Sequence, residues 1–379
     1  MTLLVRRSLV AALVLAAAAA CGPVATTPPG VDAAIGRGVA YLVSSQNADG
    51  SWGSPASTLV DIYAPIPGSY FTFQVAATSL AASGLLEAGT DQPGAAKALE
   101  RATEFLLAHH EVRRISQDTL YNTWAHAYSL EFFARRLARE KDAKRRAAFK
   151  RAAAADVDRL VRYEFVDGGW GYYDFEYHTQ KPGHGATSFT TATCLIALRM
   201  AADQGVAVPE RLTRRAVKLV ERCRAPGGVF AYDFDLRFLP RMGVNHVKGA
   251  LARTPACLVA LDDWGVDCSQ EAAKAALDNL LQEGRFLQIA RKYPTPHETW
   301  YQNSGYFCFY GYYAASLLLP RAPGADRQRY RDAIAKYLVS TQEKDGSFWD
   351  YQLYGYHKAY GTGYVLLALA GCRGSSGAP

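Results

Sequence analysis

Histidines and carboxylates recur beside aromatic residues at four places in the chain. Residues 172–184 hold Tyr173, Asp174, Tyr177, His178 and His184, and residues 232–246 hold Tyr232, Asp233, Asp235 and His246. Residues 297–301 hold His297, Glu298, Trp300 and Tyr301, and residues 350–360 hold Asp350, Tyr356, His357 and Tyr360. An imidazole facing a carboxylate can move a proton near neutral pH. Asp174, His178, His184, Asp233, Asp235, His246, His297 and His357 are therefore the candidate catalytic residues. The aromatic rings beside them can stack on sugars or line a pocket for a greasy chain. That makes Tyr173, Tyr177, Tyr232, Trp300, Tyr301, Tyr356 and Tyr360 the candidate ligand contacts. The spacing of the imidazoles and carboxylates matches no metal-ligand motif, so neither a metal nor a cofactor is expected.

A repeat positions these segments. Its clearest copy reads Arg37-Gly38-x-x-Tyr41-Leu42-x-x-x-Gln46-x-x-x-Gly50-x-Trp52, and its last copy ends Gln342-x-x-x-Gly346-x-Phe348. Further copies end at Gly168-x-Trp170, Gly228-x-Phe230 and Gly284-x-Phe286, and one that starts at Arg101 stops short at His110. The aromatic positions are separated by 118, 60, 56 and 62 residues, and the incomplete copy divides the first gap. Six units of roughly 57–60 residues thus cover 32–372. Each pairs an amphipathic helix with one that is apolar around most of its surface, the mark of a buried helix. These second helices are expected at 75–86, 121–137, 187–202, 252–261, 307–319 and 361–371. Six pairs in an open row would leave an apolar edge, so the expected fold is all-α: a closed α6/α6 toroid. Glycine supplies the turn after each outer helix, and the aromatic ring then packs between units. Trp52, Trp170, Phe230, Phe286 and Phe348 are expected in equivalent corners. Equivalent loops of a toroid share one face, which places the four histidine-bearing segments around one rim of a central cavity.

The chain carries a net charge of +7 with 49% hydrophobic residues. Its basic residues are not gathered with aromatics into one tract. Many lie in 135–162 among acidic residues, the pattern of a solvated helix face, so no nucleic-acid partner is expected. Arg6 and Arg7 precede an apolar run from Leu9 to Ala20 that is followed by Cys21, which reads as a secretory signal. The Ala-Ala-Ala-Cys stop resembles a bacterial lipobox. The expected organisation is a signal peptide at 1–20, a lipidated Cys21 with a linker at 21–31, the toroid at 32–372 and a flexible tail at 373–379. By the same resemblance, Gly22 after the cysteine favours the outer membrane. The expected protein is a monomer in the cell envelope, tethered to the membrane through its N-terminal lipid and facing the periplasm or exterior. Of the six other cysteines, Cys194, Cys257 and Cys308 read as small buried hydrophobes, and Cys223 with Cys268 is the candidate disulfide.

The Gln-x-x-x-Gly-x-Trp pattern resembles the QW motif of the terpenoid cyclases (squalene–hopene and oxidosqualene cyclases) and the related repeats of protein prenyltransferase β subunits. The resemblance spans essentially all of 32–372 and implies an α/α toroid with a central cavity. The chemistry departs from these families. No Asp-x-Asp-Asp acid and no Asp-Asp-x-x-Asp motif is present. Cys308 and His357 stand where the prenyltransferase zinc ligands would be, but the Asp-x-Cys pair is absent, with Tyr306 two residues before Cys308. Fold does not carry activity. The expected function is an envelope lipoprotein that binds a small-molecule, lipid or glycan ligand at one rim of the cavity. The alternatives are an acid/base enzyme acting on a polyprenyl or lipid-like substrate, and a carbohydrate-active lyase or hydrolase.

Overall fold

The computed structural model describes residues 26–56, 64–89, 91–297 and 300–373. The leader, Cys21 and Glu298 lie outside them. Six outer helices alternate with six inner ones. The outer set is α1 (Val31–Ser45), α3 (Ala95–His109), α5 (Ala143–Arg162), α7 (Glu210–Arg222), α9 (Gln270–Glu283) and α12 (Arg327–Ser340). The inner set is α2 (Pro67–Ala88), α4 (Asn122–Arg139), α6 (Ser188–Asp203), α8 (Arg253–Asp263), α11 (Phe307–Leu318) and α13 (His357–Cys372). A short helix, α10 (Arg285–Ala290), follows α9. Among the described residues the sheet content is one hairpin that pairs Arg224–Ala225 with Val229–Phe230.

Each inner helix packs on the next around the ring, and α13 packs back on α2. The fold is the all-α toroid that the repeat implies. Outer helices bury a single stripe; in α3 it is Ala98, Leu99, Ala102, Phe105 and Leu106, the spacing of one helical face. Inner helices are buried nearly all round. Glycines let the last inner helix close on the first: a Cβ at Gly363 would lie 2.5 Å from the Leu80 carbonyl, and one at Gly84 would lie 3.0 Å from Gly363 Cα.

The corners explain the motif. The indole N–H of Trp52 donates to the Leu42 carbonyl at 2.8 Å, and that of Trp170 donates to Leu160 at 2.8 Å. The backbone N–H groups of Trp52, Trp170 and Phe348 donate to the hydroxyls of Thr78, Thr191 and Thr362 on the inner helices. Gln46 donates to Gly50 O and to Ala98 O of the next outer helix, and Gln342 likewise to Gly346 O and Ala34 O. Gly50 and Gly346 have φ of 90° and 87°, and a Cβ there would strike the carbonyls of Arg101 and Arg37. The repeat arginines reach back in turn: Arg101 donates to Asn47 O and Ala48 O, and Arg215 to Val166 O.

Two expectations need correction. Phe286 is not in an equivalent corner. Gly284 has helical φ, the chain runs straight into α10, and Phe286 is half-buried against Tyr301 with Lys248 over its ring. Cys223 and Cys268 are free thiols, buried like the other four described cysteines. The incomplete second unit is closed by a buried polar cluster instead of a glycine–aromatic corner. Asp156 Oδ1 lies 3.1 Å from His110 Nδ1 and 2.9 Å from His126 Nδ1, and Oδ2 accepts from Ser129 at 2.6 Å. The other ring nitrogen of His126 faces the Val112 carbonyl at 2.8 Å.

Candidate functional site

The six loops that run from outer to inner helices are tied into a continuous rim by hydrogen bonds between neighbouring units. Leu120 N–H donates to Tyr172 O, Ser188 N–H to Tyr232 O and Lys292 N–H to Asp350 O. Gly355 N–H donates to Ser54 O, and the Asn303 side chain to Lys248 O. All six loops therefore lie at one end of the ring, as its symmetry requires.

A cavity of about 270 Å³ opens at that end. Twenty residues line it; fourteen are Phe, Tyr or Trp, and none is Asp, Glu, Lys or Arg. The inner helices supply the deep wall by turning aromatic residues four apart toward the axis: Trp124 and Tyr128, Tyr306 and Tyr310, and Tyr356, Tyr360 and Tyr364. Phe73, Ala76, Ala77 and Leu80 of α2 form the smoother side. The hydrogen-bonded hydroxyls of Tyr128 and Tyr364 form the floor. Below it, Arg135 pairs with Glu131 at 2.8 Å and Glu87 at 2.7 Å, and the Tyr313 hydroxyl donates to Glu131. This belt lies toward the C-terminal turns of α2 and α4, on the side of the floor away from the rim.

Two polar features touch the cavity. His297 borders solvent, yet its ring packs edge-on to Tyr232 and Phe307. Its Nδ1–H donates to Gln302 O at 2.7 Å, which leaves Nε2 as an acceptor facing the Tyr306 hydroxyl at 3.3 Å. Burial pushes its pKa down, so the imidazole is neutral at pH 7. His297 has φ 60°, a left-handed conformation that its own N–H fixes by donating to Ser304 Oγ. The second feature is Asp350, fully buried behind Tyr360. It accepts from Phe309 N–H and from the Tyr360 hydroxyl, each at 2.8 Å, and burial pushes it up to about 6.

Of the residues singled out from the sequence, His297, Tyr173, Tyr356 and Tyr360 line the cavity. Tyr232 stands just behind, with its hydroxyl bonded to that of Tyr172. The others have local partners on the rim. Asp174 is buried against Arg114 at 3.1 Å and accepts from Tyr177 N–H. His178 pairs with Asp118 at 2.8 Å, and His184 lies 3.6 Å from Asp167, which burial pushes up to about 6. Asp233 accepts from Leu236 N–H, and Asp235 is exposed. His246 accepts from Lys248 N–H and lies against Tyr301. His357 donates to Tyr354 O and meets Trp349 edge-on. Tyr177 packs on His184, and Trp300 is 95% exposed. The rim candidates thus do not converge on one point. The sequence reading missed the deep wall of Trp124, Tyr128, Phe189, Tyr310 and Tyr364; its signal was the four-residue aromatic stripe on the inner helices.

No family model matches the chain, and no curated protein matches it. Solved structures do share the ring. The chain is similar to the type II terpene cyclase MstE from Scytonema in complex with geranylgeranyl dihydroxybenzoate, with 13% identity, a TM-score of 0.52, and coverage of 90% of this chain and 96% of that one. It is similar to an alpha-1,6-mannanase from Salegentibacter, with 10% identity, a TM-score of 0.55, and coverage of 90% and 98%. A D-mannose isomerase gives 12% identity, a TM-score of 0.53, and coverage of 90% and 95%. Identities this low show the toroid and leave the chemistry to the site.

Proposed function

We propose that the toroid binds an apolar, isoprenoid-like ligand in its central cavity. The observation that carries this reading is the lining: fourteen aromatic rings and no charged side chain around about 270 Å³. That volume is near the lower end of ordinary ligand pockets, about 300 Å³, and well above the ~150 Å³ that takes up benzene. A glycoside hydrolase needs two carboxyl groups flanking the bond it cleaves. The cavity wall offers none, and Asp350 stands behind Tyr360 with both oxygens engaged. A catalytic role is favoured by one further observation, the neutral His297 with its acceptor nitrogen at the cavity wall. In that reading His297 takes a proton from the bound ligand, with Tyr306 beside it.

Titrating the purified chain with farnesol and with mannobiose, followed by calorimetry, tests the ligand class. Farnesol should bind saturably in the micromolar range and mannobiose should not bind; the reverse preference would overturn the reading. From the leader alone, we further propose export and an acyl anchor on Cys21 at the outer membrane. Cys21→Ser should then move the protein from the detergent to the aqueous phase, and unchanged partitioning would refute the anchor.

A further inference from the structure

Large hydrophobic side chains that remain exposed among the described residues all sit at the rim end of the ring, in rim loops or in the helix turns next to them. The three most exposed of them lie in the fourth and fifth units. There Phe238 is 72% exposed, Leu239 54%, Ile289 63% and Trp300 95%, with Tyr293 beside them. The two loops touch: a Cβ at Gly243 would lie 2.2 Å from the Trp300 carbonyl, so the apolar residues of both belong to one sector of the rim. The same stretches, 223–252 and 283–306, carry seven Arg and Lys and four Asp and Glu. Pro296 and His297, in the same fifth-unit loop, form part of the cavity mouth.

A tryptophan with 95% of its surface in water contributes little to the fold. Large apolar side chains left exposed together on one sector of a surface mark an interaction site. Aromatic side chains interspersed with Arg and Lys suit the boundary of an anionic bilayer, where indole and phenol rings settle at the headgroups and cations meet lipid phosphates. No described helix is long and apolar enough to cross a membrane, so the contact is with its surface. We propose that the fourth- and fifth-unit sector of the rim docks on an anionic lipid bilayer, with Trp300 and Phe238 entering the headgroup region. A docked rim brings the cavity mouth against the lipid, and an apolar ligand then passes from bilayer to cavity without crossing water. Only this last step rests on the ligand reading above.

The test is sedimentation of the full chain with lipid vesicles, using Cys21→Ser throughout so that no acyl group contributes. The probes are vesicles of phosphatidylcholine alone and of phosphatidylcholine mixed with phosphatidylglycerol. Binding should require the anionic lipid, weaken as salt rises, and fall at least about tenfold in the double variant Trp300→Ser/Phe238→Ser. Both residues are exposed, so the double variant should keep the parent melting temperature and farnesol affinity. Tryptophan emission should shift to the blue on anionic vesicles, and Trp300→Phe should remove that shift. Absence of vesicle binding, equal binding by the double variant, or binding indifferent to lipid charge and salt would overturn the proposal. So would capture of a protein through these residues with no vesicle binding. Vesicle binding without farnesol binding would leave this proposal standing and sink the ligand reading.

Discussion

Replacing Asp156 with Ala should lower the stability of the ring by about 3–5 kcal/mol, the cost of breaking a buried ion pair from one side. Asp156 is fully buried and receives His110, His126 and Ser129 at hydrogen-bond distance. Ala would leave three buried polar side chains without their common acceptor. The second unit lacks a glycine–aromatic corner, and this cluster joins the end of α3 to α4 and α5 in its place. The effect should depend on pH. Burial alone would lower the pKa of His110, but the hydrogen bond and charge of Asp156 outweigh it and hold the value above normal. A raised folded-state value stabilises fully below the unfolded pKa near 6.5 and loses that contribution as pH rises through the folded value. The cost of Asp156→Ala, measured by chemical unfolding, should therefore be larger at pH 6 than at pH 8. An equal cost at both pH values would argue against a charged His110.

Ala76→Trp should reduce farnesol affinity by about a hundredfold or more, the loss of roughly 2.7 kcal/mol, and leave the fold intact. Ala76 and Ala77 are the smallest side chains of the lining, on its α2 wall. An indole there occupies the space the ligand needs. The cavity already has room for it, so the overpacking that makes small-to-large changes costly in a filled core should be slight. Circular dichroism and the melting temperature check the fold, and calorimetry checks binding. An Ala76→Trp protein that folds and still binds farnesol at parent affinity would move the ligand out of the cavity.

The fold was legible in the sequence because its corners use residues whose types are hard to exchange. Gln46 and Gln342 reach two carbonyls each, and Gly50 and Gly346 leave no room for a Cβ. The second unit was readable only as an incomplete copy. Its closure needs Asp156 from α5 to meet His110 and His126 from elsewhere, and no local pattern announces such a meeting. The Gly284-x-Phe286 copy misled because a glycine–aromatic pair fits a helix start as well as a turn. The site was legible in part. The sequence places the rim loops correctly, but most of their imidazoles and carboxylates engage nearby rim partners, as His178 does with Asp118 and His184 with Asp167. Loop position says which face a residue shares and nothing about where its side chain turns. The cavity wall was hidden for the opposite reason. Tyr128, Tyr310 and Tyr364 sit in helices that are buried all round, and a ring facing a cavity has the same sequence signature as a ring in a packed core.

The most direct measurement of apolar ligand binding in the cavity is a crystal structure of the chain grown with farnesol. Density for the isoprenoid is expected inside the ring, between the Trp124–Tyr128 and Tyr306–Tyr310 walls, with its polar end toward His297. Farnesol seated on the outer rim while the cavity holds only ordered water would contradict it.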